Sequence, residues 1–357
     1  MKKNVTVFLI AFVFCCFDLP LVSSAQYGAG GLHMPFESQK ASIGQTIGLT
    51  DIEINYHRPA VKGRKIWGDL VPFDGGVPIP WRAGANENTT ISFSTDVTIE
   101  GKPLPAGLYG LHMIPGEKEW IIAFSKNNTS WGSFSYDQKE DALRVTVKPQ
   151  AAEFSEFLTY EFSDPQTDKA LAVLHWEKLK VGFMIAVDLH ETILASMRRE
   201  LRSTPGFSWV AFNDAANYCA DENINFEEAI KWANRSITAN ENFFNLETLA
   251  QLQKKTGKPE ENEKTMQRAM NAAKPLELHS YARQLLTQKK IEEAMKYFEY
   301  NLKKNPDLWF VYGGMARGYE AKGDMKSAIS NMKIALEKAP DASKPNIQQT
   351  IKKWEAN

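Results

Sequence analysis

The sequence predicts two folds in series: an all-β sandwich or open barrel, then an all-α helical solenoid. Three observations predict this. Apolar residues alternate with period two from Ile47 to about Val187. The period becomes helical after Asp188. A 34-residue repeat then follows, with Ala294, Phe298 and Pro306 at the same offsets as Ala328, Met332 and Pro340. A half-buried strand and an amphipathic helix bury one face each, so the period of the apolar residues separates the two.

The β region is built from short alternating runs. Ile91, Phe93, Val97 and Ile99 alternate with Ser92, Ser94, Asp96 and Thr98. Leu143, Val145 and Val147 form a second row, and Leu179, Val181, Phe183, Ile185 and Val187 a third. Further strands are expected at Asp51–Tyr56, Gly107–Ile114, Trp120–Ser125, Phe157–Phe162 and Ala170–Glu177. Gly101-Lys102-Pro103, Pro115-Gly116, Asn127-Asn128 and Ser163-Asp164-Pro165 punctuate them as turns. No long amphipathic helix interrupts the series, which argues against a parallel βαβ fold.

Leu189–Leu201 reads as a linker helix, ended by Thr204-Pro205-Gly206. The last repeat carries Trp309, Ala316, Tyr319, Gly323, Ala328, Ala335 and Pro340, and resembles the tetratricopeptide (TPR) signature. In that pattern small residues let two helices cross closely and proline closes the unit. Weaker units start near Val210 and Phe243, and Lys344–Trp354 reads as a capping helix with a polar outer face. The expected organisation is a signal peptide (1–25), a lead segment (26–42), a β domain (43–188), a linker helix (189–204), repeats (205–343) and a cap (344–357).

Lys2 and Lys3, the apolar run Val5–Phe17, and Ser23 and Ala25 have the form of an export signal. The run is shorter than the roughly 20 residues that span a bilayer, and Asp18 and Pro20 end it, so no membrane anchor is expected after cleavage. A lipid-modified Cys15 or Cys16 is disfavoured by the bulky Phe14. A periplasmic or secreted location follows, and the mature chain would keep only Cys219, too few for an internal disulfide. With 42 basic and 43 acidic residues there is no basic excess for a nucleic-acid face.

The stretch Tyr56–Ile91 has neither period. It holds three Arg, two Trp, five Gly and four Pro. Loops this long inside compact domains are usually functional or disordered, and its Trp, Ile, Val and Phe argue for order. Arg58, Arg64 and Arg82, with Lys62, offer forks for a carboxylate or phosphate, and Trp67 and Trp81 offer faces for a sugar. Asn86, in Gly84-Ala85-Asn86-Glu87-Asn88, sits where left-handed backbone exposes N–H groups. Ligand-binding candidates are therefore Arg58, Arg64, Trp81, Arg82 and Asn86. The bland reading is that each Arg bonds carbonyls of its own loop.

His57, Glu87 and His112 are the candidates for acid–base catalysis. His175 shares a strand face with Leu171 and Val173 and reads as a core histidine. No H-x-H, H-E-x-x-H or C-x-x-C spacing is present, so neither a metal nor a cofactor is expected. A G-x-S-x-G elbow is also absent. Asn88-Thr89-Thr90 and Asn127-Asn128-Thr129 match glycosylation acceptors only formally.

INYHRPAVKGRKIWGDLVP, WRAGANENTTISFSTDV, GKPLPAGLYGLHMIP, and WGSFSYDQKEDALRVTVKP followed by HWEKLKV resemble the bacterial family called domain of unknown function 2911, over about Ile43–Val187. The resemblance implies an exported bacterial β domain and no particular activity. FDGGVPIP before Trp81 departs from the family's shorter link. The functional expectation is a ligand-binding β domain, taking an anionic or carbohydrate-like molecule, joined to a repeat scaffold for a protein or peptide. The alternative is a periplasmic hydrolase or metal-dependent enzyme with its site in the same loop.

Overall fold

The computed structural model describes residues 35–72 and 79–356. The expected signal peptide lies outside the described residues, as do most of the lead segment and of FDGGVPIP. The chain divides into one unit up to Leu189 and a second from His190.

Among the described residues the first unit contains two antiparallel sheets around one apolar core. The strands are β1 (Gln39–Ile47), β2 (Thr50–Arg58), β3 (Thr90–Phe93), β4 (Val97–Ile99), β5 (Lys102–Leu104), β6 (Gly107–Ile114), β7 (Trp120–Ser125), β8 (Asp141–Val147), β9 (Gln150–Ser163) and β10 (Lys169–Ala186). One sheet has the order β1-β2-β3-β6-β7-β8 and the other β5-β4-β10-β9. Ile52, Ile54, Ile91, Phe93, Leu111, Met113, Ile122 and Phe124 of the first meet Ile99, Leu158, Leu174, Trp176, Val181, Phe183 and Ile185 of the second. Phe124 and Phe183 touch edge to face at 5.5 Å. At the β4–β5 hairpin Glu100 and Gly101 both take positive φ, the backbone that matches strand twist in a two-residue turn.

Two strands have no counterpart in the sequence reading. β1 lies largely before Ile47 and has little apolar alternation, and β5 is three residues long. The two strands expected at Ala170–Glu177 and Leu179–Val187 are one, β10. Its register against β9 shifts on either side of Glu177, whose φ is +52°. That bulge resets the alternation, so Trp176 and Val181, five residues apart, both enter the core. The reading of His175 as a core histidine is also corrected, because its strand face is the outer one. Ala172, Leu174 and Trp176 face inward, and His175 is half-buried on the other side, its Nε2 2.8 Å from the Glu153 carbonyl.

The second unit is helical. After α1 (Leu189–Glu200) come four helical hairpins. They are α2 (Trp209–Glu222) with α3 (Phe226–Ala239), α4 (Phe243–Lys255) with α5 (Pro259–Ala272), α6 (Pro275–Thr287) with α7 (Ile291–Lys304), and α8 (Trp309–Lys322) with α9 (Met325–Lys338). α10 (Lys344–Glu355) closes the array by burying Ile347, Ile351 and Trp354. Small residues at the crossings allow the close approach: Ala229, Ala269, Ala294 and Ala328 are fully buried. Gly314 and Gly318 on α8 lie against Phe298 and Met295 of α7, where a Cβ would come within 2.6 and 2.2 Å of their side-chain atoms.

Candidate functional site

The described parts of the long loop, up to 72 and from 79, are held by apolar residues that enter the core. Val61, Ile66, Val71, Trp81 and Ala83 are buried with the sheets. Trp67 meets Trp81, Trp120 and Trp176 edge to face at 5.2–6.1 Å, and Trp81 stacks on Trp176 at 6.0 Å with planes 17° apart. The loop also extends the sheet, as Trp81 and Met113 exchange backbone hydrogen bonds at 2.8 Å. Ala83 holds φ +50° while its carbonyl accepts from Thr89 Oγ1 at 3.1 Å and Tyr160 Oη at 2.9 Å.

The arginines bond main-chain carbonyls. Arg58 Nε donates to Leu158 O at 3.1 Å. Arg64 donates to Val61 O at 3.1 Å and Ala60 O at 2.6 Å. Arg82 Nη1 donates to Asn86 O, and Asn86 Nδ2 to Ser38 O at 3.1 Å. A hollow of about 400 Å³ nevertheless lies between them, lined by Lys62, Arg64, Trp81, Arg82 and Asn86, with Phe157 and Trp176 in its wall. Trp81 is only 8% exposed, so its faces are largely taken by other rings. Arg58 does not line the hollow; its guanidinium lies over Phe157 at 5.8 Å.

A second group forms on the outer face of the six-stranded sheet. Ile52, Ile54 and Tyr56 of β2 point inward, so His57 points out. By the same alternation Tyr109, Leu111 and Met113 of β6 point inward and His112 out. Yet His112 is only 2% exposed. The chain from Lys126 to Asp137 roofs it: Ser133 Oγ lies 2.8 Å from Nδ1, and the Tyr136 ring packs edge to face at 5.0 Å. Tyr136 in turn donates to Asp141 Oδ2 at 2.5 Å, and Arg144 Nε stands 3.4 Å from that carboxylate.

Burial, reinforced by the nearby Arg82 charge, pushes the His112 pKa down to about 4, so it is a neutral imidazole at neutral pH. His57 is lowered by burial, opposed by Glu87. Its Nδ1 stands 3.2 Å from Glu87 Oε2, but neither Glu87 oxygen makes an aligned hydrogen bond among the described residues. Burial also lowers Arg82, again opposed by Glu87. His57, Arg82, Glu87 and His112 are thus electrostatic neighbours, whereas Arg64 and Trp81 face the hollow. Ser133, Tyr136, Asp141 and Arg144 were not singled out from sequence; the only signal they gave was the motif WGSFSYDQKEDALR. Among the described residues no three His, Cys, Asp or Glu side chains are grouped to hold a metal ion.

The helical unit carries a larger recess of about 870 Å³ over successive first helices of the hairpins. Asn213 and Asn217 of α2, Glu247 and Gln251 of α4, and Ser280, Tyr281 and Gln284 of α6 line it. Asn213 Oδ1 is buried there without a hydrogen-bond partner among the described residues.

Residues 38–185 match the family model described as Protein of unknown function (DUF2911). The β domain is DUF2911-like. No curated protein matches. Three similar solved structures are helical-repeat proteins that align with the C-terminal region. "Crystal structure of MamA protein" is 15% identical, covers 43% of this chain and 83% of its own, and has a TM-score of 0.27. "Crystal structure of YrrB: a TPR protein with an unusual peptide-binding site" is 19% identical, covers 42% and 78%, and scores 0.25. A MamA from Desulfovibrio magneticus RS-1 is 13% identical, covers 42% and 84%, and scores 0.27. The chain joins a DUF2911-like domain to an array of helical hairpins.

Proposed function

We propose that the chain is an exported scaffold whose helical recess holds an extended peptide segment of a partner protein. The observation that carries this is the row of amide side chains lining the recess from successive hairpins: Asn213 and Asn217 of α2, Gln251 of α4 and Gln284 of α6. An extended peptide brings unpaired N–H and C=O groups at regular spacing, and Asn and Gln supply both a donor and an acceptor to meet them. The test is fluorescence anisotropy of a degenerate pool of ten-residue peptides with the full chain. Ser280→Trp, at an exposed position on the recess floor, should weaken binding at least tenfold. Binding unaffected by that substitution would overturn the reading.

Export, to the periplasm or beyond, is part of this proposal and rests on residues 1–25. Secretion of a reporter fused behind those residues tests it, and retention in the cytoplasm would refute it.

For the DUF2911-like domain we propose a small anionic or carbohydrate-like ligand in the 400 Å³ hollow, supported by Arg64 and Arg82 on its lining, where Lys62 is paired with Glu37 and Glu156 is a further carboxylate. Thermal shift with sulfated and uncharged oligosaccharides tests this; the anionic set should stabilise the domain and Arg82→Ala should remove the effect. Equal response in the variant would count against it. The enzyme reading, a hydrolase, draws on the neutral His112 and on His57 beside Glu87. Hydrolysis of an ester or glycoside panel, lost in His112→Ala, is its required outcome; a panel with no turnover would remove it.

A further inference from the structure

Glu247 is the least ordinary residue of the helical recess. It lies on the α4 floor, 8% exposed, in a unit whose other carboxylates are mostly solvated. Gln251 Nε2 donates to its Oε1 at 2.5 Å and Tyr281 Oη at 3.1 Å. Both bonds go to one oxygen, and Oε2 is left without a partner among the described residues. A buried carboxylate is normally paired with a cation, because desolvating a lone charge is costly. Here both partners are neutral.

The surroundings are aromatic. Tyr281 meets Phe243 edge to face at 5.2 Å and Tyr297 at 4.9 Å, and all three rings line the recess. Asp221 and Glu293 stand on the same lining and add negative potential. Burial raises the Glu247 pKa first, and Asp221 and Glu293 raise it further, against the two hydrogen bonds. Lys254, Lys255 and Lys290 also line the recess, but the side chains bonded to Glu247 are Gln251 and Tyr281. Lys255 is instead bonded to Asn223 Oδ1 at 2.6 Å.

We propose that the recess selects peptides carrying a lysine or arginine side chain, whose cationic head seats on Glu247 Oε2 between the rings of Phe243, Tyr281 and Tyr297. This rests on the peptide-binding reading above and names what that site prefers. Charge complementarity identifies the occupant: a carboxylate held on one side and open on the other, ringed by aromatic faces, attracts a cation by direct pairing and by the ring quadrupoles together. The aliphatic stem of Lys or Arg would lie along the same rings.

The experiment uses the full chain and degenerate ten-residue pools with one central position fixed as Lys, Arg, norleucine or Glu. The Lys and Arg pools should bind at least tenfold tighter than the norleucine pool, and the Glu pool weakest. Glu247→Gln should bring the Lys and norleucine pools within about twofold of each other. Glu293→Gln, at a half-exposed position, should narrow the gap by two- to threefold, which keeps the test decisive if the buried variant does not fold. Binding that Ser280→Trp abolishes, but that shows no preference for Lys or Arg in the parent chain, would overturn this inference and leave the peptide site standing. Binding that Ser280→Trp leaves intact would overturn both.

Discussion

Gly132 lies directly against the Arg82 guanidinium, so closely that a Cβ built on the glycine would stand 2.4 Å from Arg82 Cζ. The Phe134 ring lies 5.3 Å from the same cation. With its amide oriented to donate, Asn88 bonds Ser130 O at 3.2 Å and Gly132 O at 2.6 Å. The arginine is thereby a peg for the chain that roofs His112. Gly132 also holds φ +66°, which an L side chain adopts only with strain.

Gly132→Ala should therefore destabilise the β domain by roughly 1–3 kcal/mol, from the left-handed backbone and the collision together. Differential scanning fluorimetry checks it. Unchanged melting would mean that the roof is not seated on Arg82.

His112 gives a pH dependence with a definite sign. Its folded value is about 4, below the unfolded value of about 6.5. The unfolded chain therefore takes up the extra proton as pH falls between those values, and stability drops by up to about 3 kcal/mol across that window. Below it both states are protonated and the loss levels off. An NMR titration of the His112 ring should show a midpoint near 4, and a midpoint near 6.5 would contradict its burial.

The two neighbouring glycines of α8 should respond in opposite directions. Nothing lies within 4 Å of a Cβ on Gly313, whereas one on Gly314 would lie 2.6 Å from Phe298. Gly313→Ala should stabilise the helical unit by about 0.5–1 kcal/mol through helix propensity. Gly314→Ala should destabilise it by roughly 1–3 kcal/mol through overpacking. Urea unfolding followed by circular dichroism separates the two.

Tyr160→Phe should cost about 1 kcal/mol, because it removes the hydroxyl that bonds the carbonyl of strained Ala83. Thr89 still bonds that carbonyl, so the cost stays moderate. A loss above roughly 3 kcal/mol in chemical denaturation would show that the loop depends on this single bond.

Much of the fold was legible because burial is one-sided. Where a strand hides only one face, as at Ile91 and Phe93, the pattern is written in the sequence. It failed where something local resets the face: Glu177 flips the parity of β10, and no propensity marks that glutamate for positive φ. His112 could not be assigned because both faces of β6 are buried, one by the core and one by a roof of irregular chain. Ser133 and Tyr136 reach it from some twenty residues away by contacts without a period. The grouping of His57, Glu87 and Arg82 near His112 likewise depends on the strand order β2-β3-β6, which local patterns do not encode. Nothing in the sequence around Glu247 distinguishes it from a solvated helix glutamate; its burial comes from the packing of α4 against its neighbours.

The peptide-binding claim is tested most directly by hydrogen exchange on the full chain with and without a saturating degenerate ten-residue peptide pool. The account predicts slower exchange along α2, α4 and α6, centred on the turns that carry Asn213, Glu247 and Ser280, with the β strands unchanged. Protection absent from those three helices, or confined to the DUF2911-like domain, would contradict it.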